Sequence, residues 1–317
     1  MIGGPRGPVR VPEGRTRPRR LREGDTVALV APAGPVTNEQ LARGVGVLES
    51  WGLTVRVGDH VLDRHPTLPY LAGRDADRAA DLVEAWCHPD VRAVFCARGG
   101  YGAHRMVDLL DWPAMAEAGP KALVGGSDAT ALHTAFGQAL DVVTLFAPMV
   151  STALLDDEAR RHLHATLFDP ASVTTLIGPA TTSSGHGRAT GTLVGGTLSL
   201  LAAEVGTLDA VPPPDGSILV LEDVTEAPYR LDGMLTHLQR AGWFTGVTGI
   251  ALGSWERCGP LEEVKAVVSD LLGALGVPVL WELGFGHCAG SLTVPLGAEA
   301  VLDADDATLT LTGPALS

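Results

Sequence analysis

The chain holds 317 residues, of which 45% are hydrophobic and 19% charged, with a net charge of −14. At roughly 100–200 residues per domain that length suggests two domains, and the composition supports a sizeable core and excludes wholesale disorder. Charge is uneven: residues 1–22 carry seven arginines and one acid, while the rest holds 16 basic and 36 acidic residues, net −20, so the body repels phosphates and a nucleic-acid partner is not expected.

In chain order, residues 1–22 read as a disordered, arginine-rich arm. Arg19-Arg20 is followed by no uninterrupted apolar stretch or small-residue cleavage site, so it is not read as an export signal. No apolar run approaches the ~18–20 residues that span a bilayer, and no membrane partner is expected. Four scattered cysteines without a CxxC pair fit a reducing, cytoplasmic setting better than a disulfide scaffold or zinc ribbon.

From Glu23, strands at Asp25–Ala31, Leu53–Val57, Arg92–Ala97, Lys121–Val124 and Val142–Phe146 alternate with helices at Asn38–Ser50, Arg74–Cys87, Ala103–Leu110 and Asp128–Leu140. Such alternation predicts βαβ units and a parallel sheet covered on both faces, a three-layer α/β domain over residues 23–150. Residues 151–190 read as a linker, because ATTSSGHGRATG is small, polar and glycine-rich. Residues 191–317 predict a smaller α/β domain with a mixed, β-rich sheet. Its strands lie near Thr192, at Ser217–Leu221 and at Gly249–Gly253. Helices fall at Ser199–Val205, Tyr229–Ala241 and Leu261–Leu275, and EAVLDADDATLTLTG reads as a closing β-hairpin.

Four motifs sit at predicted strand ends, where open α/β sheets bind ligands. Gly125-Gly126-Ser127-Asp128 places a serine on a tight strand-to-helix turn, with a helix N-terminus to stabilise negative charge. The plain alternative is a helix cap. Arg98-Gly99-Gly100-Tyr101-Gly102 offers backbone N–H groups to an anion, or is simply a turn. It matches neither GxGxxG nor a P-loop, so no nucleotide cofactor is implied. Glu222-Asp223 closes an apolar strand, where acids orient a histidine, bind a metal or face water. His287, between Gly286 and Cys288, is either free to reach across a cleft or a solvated surface group. No HExxH occurs, and His162 and His164 diverge on a helix, so metal binding is not supported. Cys96 and Cys288 read as buried small hydrophobes rather than nucleophiles.

Taken together and in order, the stretches GDTVALVAPAGPV, FCARGGYGAHRMVDLLDW, LVGGSDATALH, TGTLVGGTLSLLAAEVGT, ILVLEDVTEAPYRLDGMLTHLQRAG and FGHCAGSLTVPLGAEAVLD resemble the serine LD-carboxypeptidases. That family includes muramoyl-tetrapeptide carboxypeptidases and microcin C immunity peptidases. The resemblance runs from Gly24 to about Asp303. It implies a Ser127–Glu222–His287 triad, with the serine from the first domain and its partners from the second. The implied oxyanion hole is the Asp128 N–H plus that of Gly99 or Gly100. Arg98 is the candidate for the substrate's terminal carboxylate, and Tyr101 is a second substrate-binding candidate. Two positions depart from the family: Gly126 stands where an aromatic is usual, and GGNLS reads GGTLS, with Thr197 for asparagine. ATTSSGHGRATG is short and carries no aromatic to stack a nucleobase. That favours a murein peptide losing D-alanine over a peptidyl-nucleotide antibiotic. The resemblance also implies a homodimer and neither metal nor cofactor. A non-catalytic ligand-binding protein on the same fold is the alternative of another class.

Overall fold

The computed structural model describes residues 15–207 and 210–317. The first domain carries β1 (Thr26–Val30), α1 (Asn38–Ser50), β2 (Thr54–Val57), α2 (Asp75–Cys87), β3 (Val91–Cys96), α3 (Trp112–Glu117), β4 (Ala122–Gly125), α4 (Thr130–Ala139) and β5 (Thr144–Phe146). After α5 (Asp157–Phe168), the second domain carries β6 (Thr175–Leu176), β7 (Thr182–Ser184), β8 (Arg188–Thr197), α6 (Leu198–Glu204), β9 (Ile218–Val224), α7 (Pro228–Arg240), β10 (Gly249–Glu256), α8 (Leu261–Leu272) and β11 (Val279–Trp281). The chain ends with β12 (Val294–Leu296), β13 (Glu299–Asp303) and β14 (Thr308–Leu311).

Six strands form the first sheet in the order β12-β5-β4-β3-β1-β2. Its five N-terminal strands are parallel. The residues of β3 and β4 are nearly all buried, as strands covered on both faces require. Leu29, Phe95 and Val124 pack towards α1 and α5 on one face. Val30, Val94 and Leu123 pack on the other face with Leu82 and Trp86 of α2 and Phe136 of α4. α1 begins at a reciprocal capping box between Thr37 and Gln40, which satisfies two donors the first helical turn leaves over.

The second sheet has eight strands in the order β6-β14-β13-β8-β9-β10-β11-β7. Its centre, β8 to β11, is parallel, and its flanks are antiparallel. α6, α7 and α8 cover one face through Leu201, Leu235 and Val264. The other face packs Leu193, Val220 and Leu302 against Phe146 and Leu296 of the first sheet. One apolar core therefore spans the two domains.

Four expectations need correction. First, residues 15–22 are not a loose tail: Thr16 bridges Val142, and Leu21 is 1% exposed in the core. Arg19 forms two bonds to Asp25, of 2.7 and 2.8 Å. Residues 1–14 of the expected arm lie outside the described residues. Second, 151–190 is not a linker. It holds α5, whose Leu163 and Leu167 are buried in the first domain's core. ATTSSGHGRATG itself supplies β7 and the start of β8. Third, the helix expected at 103–110 is two short 3-10 turns, Ala103–Arg105 and Val107–Leu109. Fourth, β12 returns from the C-terminal region to pair antiparallel with β5. No helix among the described residues is long and apolar enough to cross a membrane.

Candidate active site

The strand-to-helix turn after β4 is built for a close approach. A Cβ on Gly125 would meet Cys96 Cβ at 2.9 Å, and one on Gly126 would meet the Ala147 carbonyl oxygen at 2.9 Å. A side chain at 126 would therefore require the backbone just after β5 to shift. Ser127 then has φ 56, a left-handed conformation that costs a non-glycine residue about 1–3 kcal/mol. Neither Ser127 nor Asp128 caps a helix with its side chain, so the capping explanation does not hold. Asp128 instead reaches across to the glycine loop, where Oδ2 accepts the Ala103 N–H at 2.8 Å. Burial pushes this carboxyl above its usual range, against the Ala103 hydrogen bond and the nearby His104 and Arg78.

The glycine loop lies against the serine. A Cβ on Gly99 would sit 2.9 Å from Ser127 Cβ, 3.1 Å from its Oγ and 3.4 Å from the Asp128 backbone nitrogen. The loop backbone and the start of the helix thus lie together beside Oγ, and Gly100, at φ 108, continues the turn. Arg98 is half-buried. Its Nη1 donates to the Pro35 carbonyl at 3.1 Å, and it has no ion pair among the described residues. Tyr101 is 49% exposed and meets Tyr70 edge-to-face at 5.7 Å.

Glu222 ends up fully buried in β9. Its Oε2 accepts from His287 Nδ1 at 2.7 Å, and its Oε1 accepts the Thr197 hydroxyl at 2.5 Å. Thr197 stands opposite Glu222 in the parallel β8–β9 ladder. It also reaches the first domain: its N–H donates to Thr130 Oγ1 at 3.1 Å, and its hydroxyl lies 3.5 Å from the Ser127 carbonyl. Thr197 therefore links the glutamate to Thr130, the first residue of α4 and three residues after the serine. Gly286, at φ 100, lets the histidine loop close on the acid, since a Cβ there would lie 2.5 Å from Glu222 Oε2. Burial disfavours the His287 imidazolium, but the hydrogen bond and charge of Glu222, with the charge of Asp223, outweigh it and hold the ring above its ordinary value.

The neighbouring groups point elsewhere. Asp223 accepts the Ser199 N–H at the start of α6 at 2.7 Å, and burial pushes it up to about 6. Full burial, reinforced by Asp128, drives the Cys96 thiol up to about 12, which leaves no thiolate nucleophile at neutral pH. Burial also raises the Cys288 thiol. Among the described residues, His60, Asp63 and Asp77 bring ligand-type atoms within 4.8 Å of one another. They lie in and beyond the loop after β2 and share no residue with the Ser127 cluster.

Glu222, His287 and Thr197 thus form one hydrogen-bonded set, and Gly99 packs on Ser127 beside the Asp128 nitrogen; among the described residues no hydrogen bond joins Ser127 to His287. The sequence marked Thr197 only as a departure, and its contact with Glu222 depends on the β8–β9 register. The anchoring role of the Asp128 carboxylate went unread because its partner is a backbone amide 25 residues away.

Similarity to known proteins covers both domains. The LD-carboxypeptidase N-terminal domain matches residues 27–147, and the LD-carboxypeptidase C-terminal domain matches residues 190–302. A putative carboxypeptidase of Streptomyces coelicolor is 55% identical over 302 residues, covering 95% of this chain and 97% of that protein. A murein tetrapeptide carboxypeptidase of Pseudomonas aeruginosa is 36% identical over 289 residues, covering 87% and 92%. The solved structure of a muramoyltetrapeptide carboxypeptidase from Oxalobacter formigenes superposes with a TM-score of 0.76 at 31% identity, covering 90% of this chain and 97% of that one. The chain belongs to the LD-carboxypeptidase family.

Proposed function

We propose that the protein is a serine carboxypeptidase that hydrolyses an LD-peptide bond and releases a C-terminal D-amino acid. The observation that carries this reading is the 2.7 Å Glu222–His287 bond, linked through Thr197 to Thr130, three residues after Ser127.

His287 donates its Nδ1 proton to Glu222, so Nε2 of the neutral ring is the acceptor. It takes the Ser127 Oγ proton as Oγ bonds to the scissile carbonyl carbon, and the carbonyl electron pair moves to oxygen. The Asp128 N–H, with that of Gly99 or Gly100, faces the oxyanion; losing one such donor typically costs ~10²–10³ in rate. The imidazolium then protonates the leaving D-amine, the C–N bond breaks, and an acyl-serine remains. Water repeats the sequence and restores the serine. Glu222 orients the ring and stabilises its charge without taking the proton. Arg98, bonded only to the Pro35 carbonyl among the described residues, receives the terminal carboxylate.

The substrate class we favour is a murein tetrapeptide losing D-alanine. Support comes from the Pseudomonas relative and from β7 and its turn, which hold no Phe, Tyr or Trp between Thr182 and Gly187. Mass spectrometry of products from a panel of LD-tetrapeptides, their all-L counterparts and a peptidyl-nucleotide is the test. Loss of D-alanine from the LD-peptides alone is expected. Ser127→Ala should lower the rate ~10⁴–10⁶-fold while the protein stays folded. A Ser127→Ala enzyme with wild-type kcat would sink the serine mechanism, and cleavage of the peptidyl-nucleotide alone would replace the substrate.

A further inference from the structure

The geometry points to Asp156 and His162, at the start and middle of α5, as positioning residues that hold the loop bearing His287 against the domain bearing Ser127. The inference rests on the reading of His287 as general base.

The loop has little stiffness of its own. It is closed by the Leu292 N–H to the Gly284 carbonyl at 2.8 Å. Within it, Gly284, Gly286 and Gly290 all have positive φ, and glycines add backbone freedom that must be removed by outside contacts. His287 is held by its bond to Glu222, which fixes the ring but not the backbone beyond it.

α5 supplies the missing grip. Asp156 Oδ2 accepts the Gly290 N–H at 2.7 Å. His162 Nδ1 accepts the Thr293 N–H at 3.1 Å. Between these points the loop presses on the helix so closely that a Cβ on Gly290 would lie 2.9 Å from Glu158 Oε2. The helix is itself fixed. Asp156 Oδ1 caps it by accepting from Glu158 and Ala159 N–H, and Leu163 and Leu167 are buried in the first domain's core with Leu29 and Val124. Val124 lies in β4, three residues before Ser127. The two clasps therefore reference the histidine loop to the same rigid body that holds the serine.

Both acceptors are in the right protonation state. Hydrogen bonds from the Ala159 and Gly290 N–H groups hold Asp156 below the usual carboxylate range. Burial pushes His162 down to about 4, so its ring is neutral and Nδ1 can accept.

The test separates helix from loop. Asp156→Ser keeps an N-cap oxygen for α5 but is too short to reach Gly290. His162→Phe keeps a ring without an acceptor, and His162→Asn restores an acceptor oxygen near the place of Nδ1. We expect Asp156→Ser and His162→Phe to lower kcat about 10- to 100-fold, the scale of a misplaced reacting group, with KM near wild type and the fold intact by circular dichroism. His162→Asn should recover most of the loss. The acidic limb of the kcat/KM profile should move to lower pH in Asp156→Ser, because a loosened Glu222–His287 bond lets the ring fall towards its ordinary value. The inference is overturned if kcat in both Asp156→Ser and His162→Phe stays within about twofold of wild type, or if His162→Asn is as slow as His162→Phe. His287→Ala is run alongside. Wild-type activity there would overturn the general-base reading and this inference with it, whereas an inactive His287→Ala beside fully active clasp variants removes the inference alone.

Discussion

Thr197 has one proton to give, and it goes to Glu222 at 2.5 Å. Replacing it with valine keeps the shape and removes the donor, which leaves one oxygen of a fully buried carboxylate without its partner. Such a loss costs about 1–3 kcal/mol. Thr197→Val should therefore melt lower, by calorimetry, and turn over more slowly. Thr197→Asn, the residue the family pattern carries, should be milder because its amide can still donate. A Thr197→Val enzyme matching wild type in both measurements would show that the contact is idle. Glu222→Gln should lose less rate than His287→Ala, since the acid orients the base without transferring a proton; stopped assays on a defined LD-peptide decide the order. At Gly99 the argument is steric. An alanine Cβ would lie 2.9 Å from Ser127 Cβ and 3.1 Å from Oγ, so Gly99→Ala should lower kcat/KM ~10²-fold or more, on the scale of a lost oxyanion donor. Ser127, Glu222 and His287 were legible as candidates because Ser127 and His287 stand in turns after strands, Glu222 lies near the end of β9, and each carries its own chemistry. Asp128 as an anchor and Thr197 as a bridge could not, because their partners are set by tertiary register.

Among the elements, the regular βαβ units were legible, since α1, α2, α7 and the buried strands follow the periods of helix and strand. α5 was not. In DEARRHLHATLF the buried positions are Ala159, Leu163, Thr166 and Leu167, a thin apolar stripe among charged and histidine side chains that resembles a solvated connector. The segment 103–110 failed in the opposite sense: its apolar spacing suits a helix, but Gly102 at φ 135 and the Ala103–Asp128 bond bend it into 3-10 turns. α5 also carries a prediction about pH. Burial lowers His162 from its ordinary 6.5 to about 4. A histidine depressed on folding contributes stability above its unfolded value, and that contribution is lost as pH falls towards the folded value. His133, likewise pushed to about 4, acts in the same direction. Asp223, raised to about 6, acts in the opposite one and stabilises as pH falls. The clean comparison is therefore one variant against wild type: His162→Asn should show a shallower fall of melting temperature between about pH 6.5 and 4. Parallel curves would mean that His162 does not titrate with folding.

At the scale of the whole molecule, the two ends of the described chain close the first domain. The Arg20 N–H donates to the Ser317 carbonyl, the Ser317 N–H donates to the Pro18 carbonyl, and the Leu21 N–H donates to the Leu167 carbonyl of α5. Leu21, Ala315 and Leu316 share one apolar cluster with Leu48, Leu163 and Leu167. The arginine density of residues 15–22 hid this, because one buried leucine among charged neighbours carries no period. Composition reported the solvated side chains and missed the backbone pairing. The consequence is measurable. Leu21→Ala removes a side chain that is 1% exposed, and such truncations cost about 2–5 kcal/mol. At roughly 2–4 °C per kcal/mol for a chain of 150–250 residues, and somewhat less for a longer one, the melting temperature should fall by several degrees. Hydrolysis well below that temperature should change little, since Leu21 lies towards α1 and α5, while Ser127 stands at the carboxyl end of β4. Removal of residues 313–317 should produce a fall of the same kind, because it takes away Ala315, Leu316 and both backbone bonds of Ser317. If calorimetry placed Leu21→Ala within a degree of wild type, residues 15–22 would merely rest on the surface, and the closure of the domain by its two ends would be wrong.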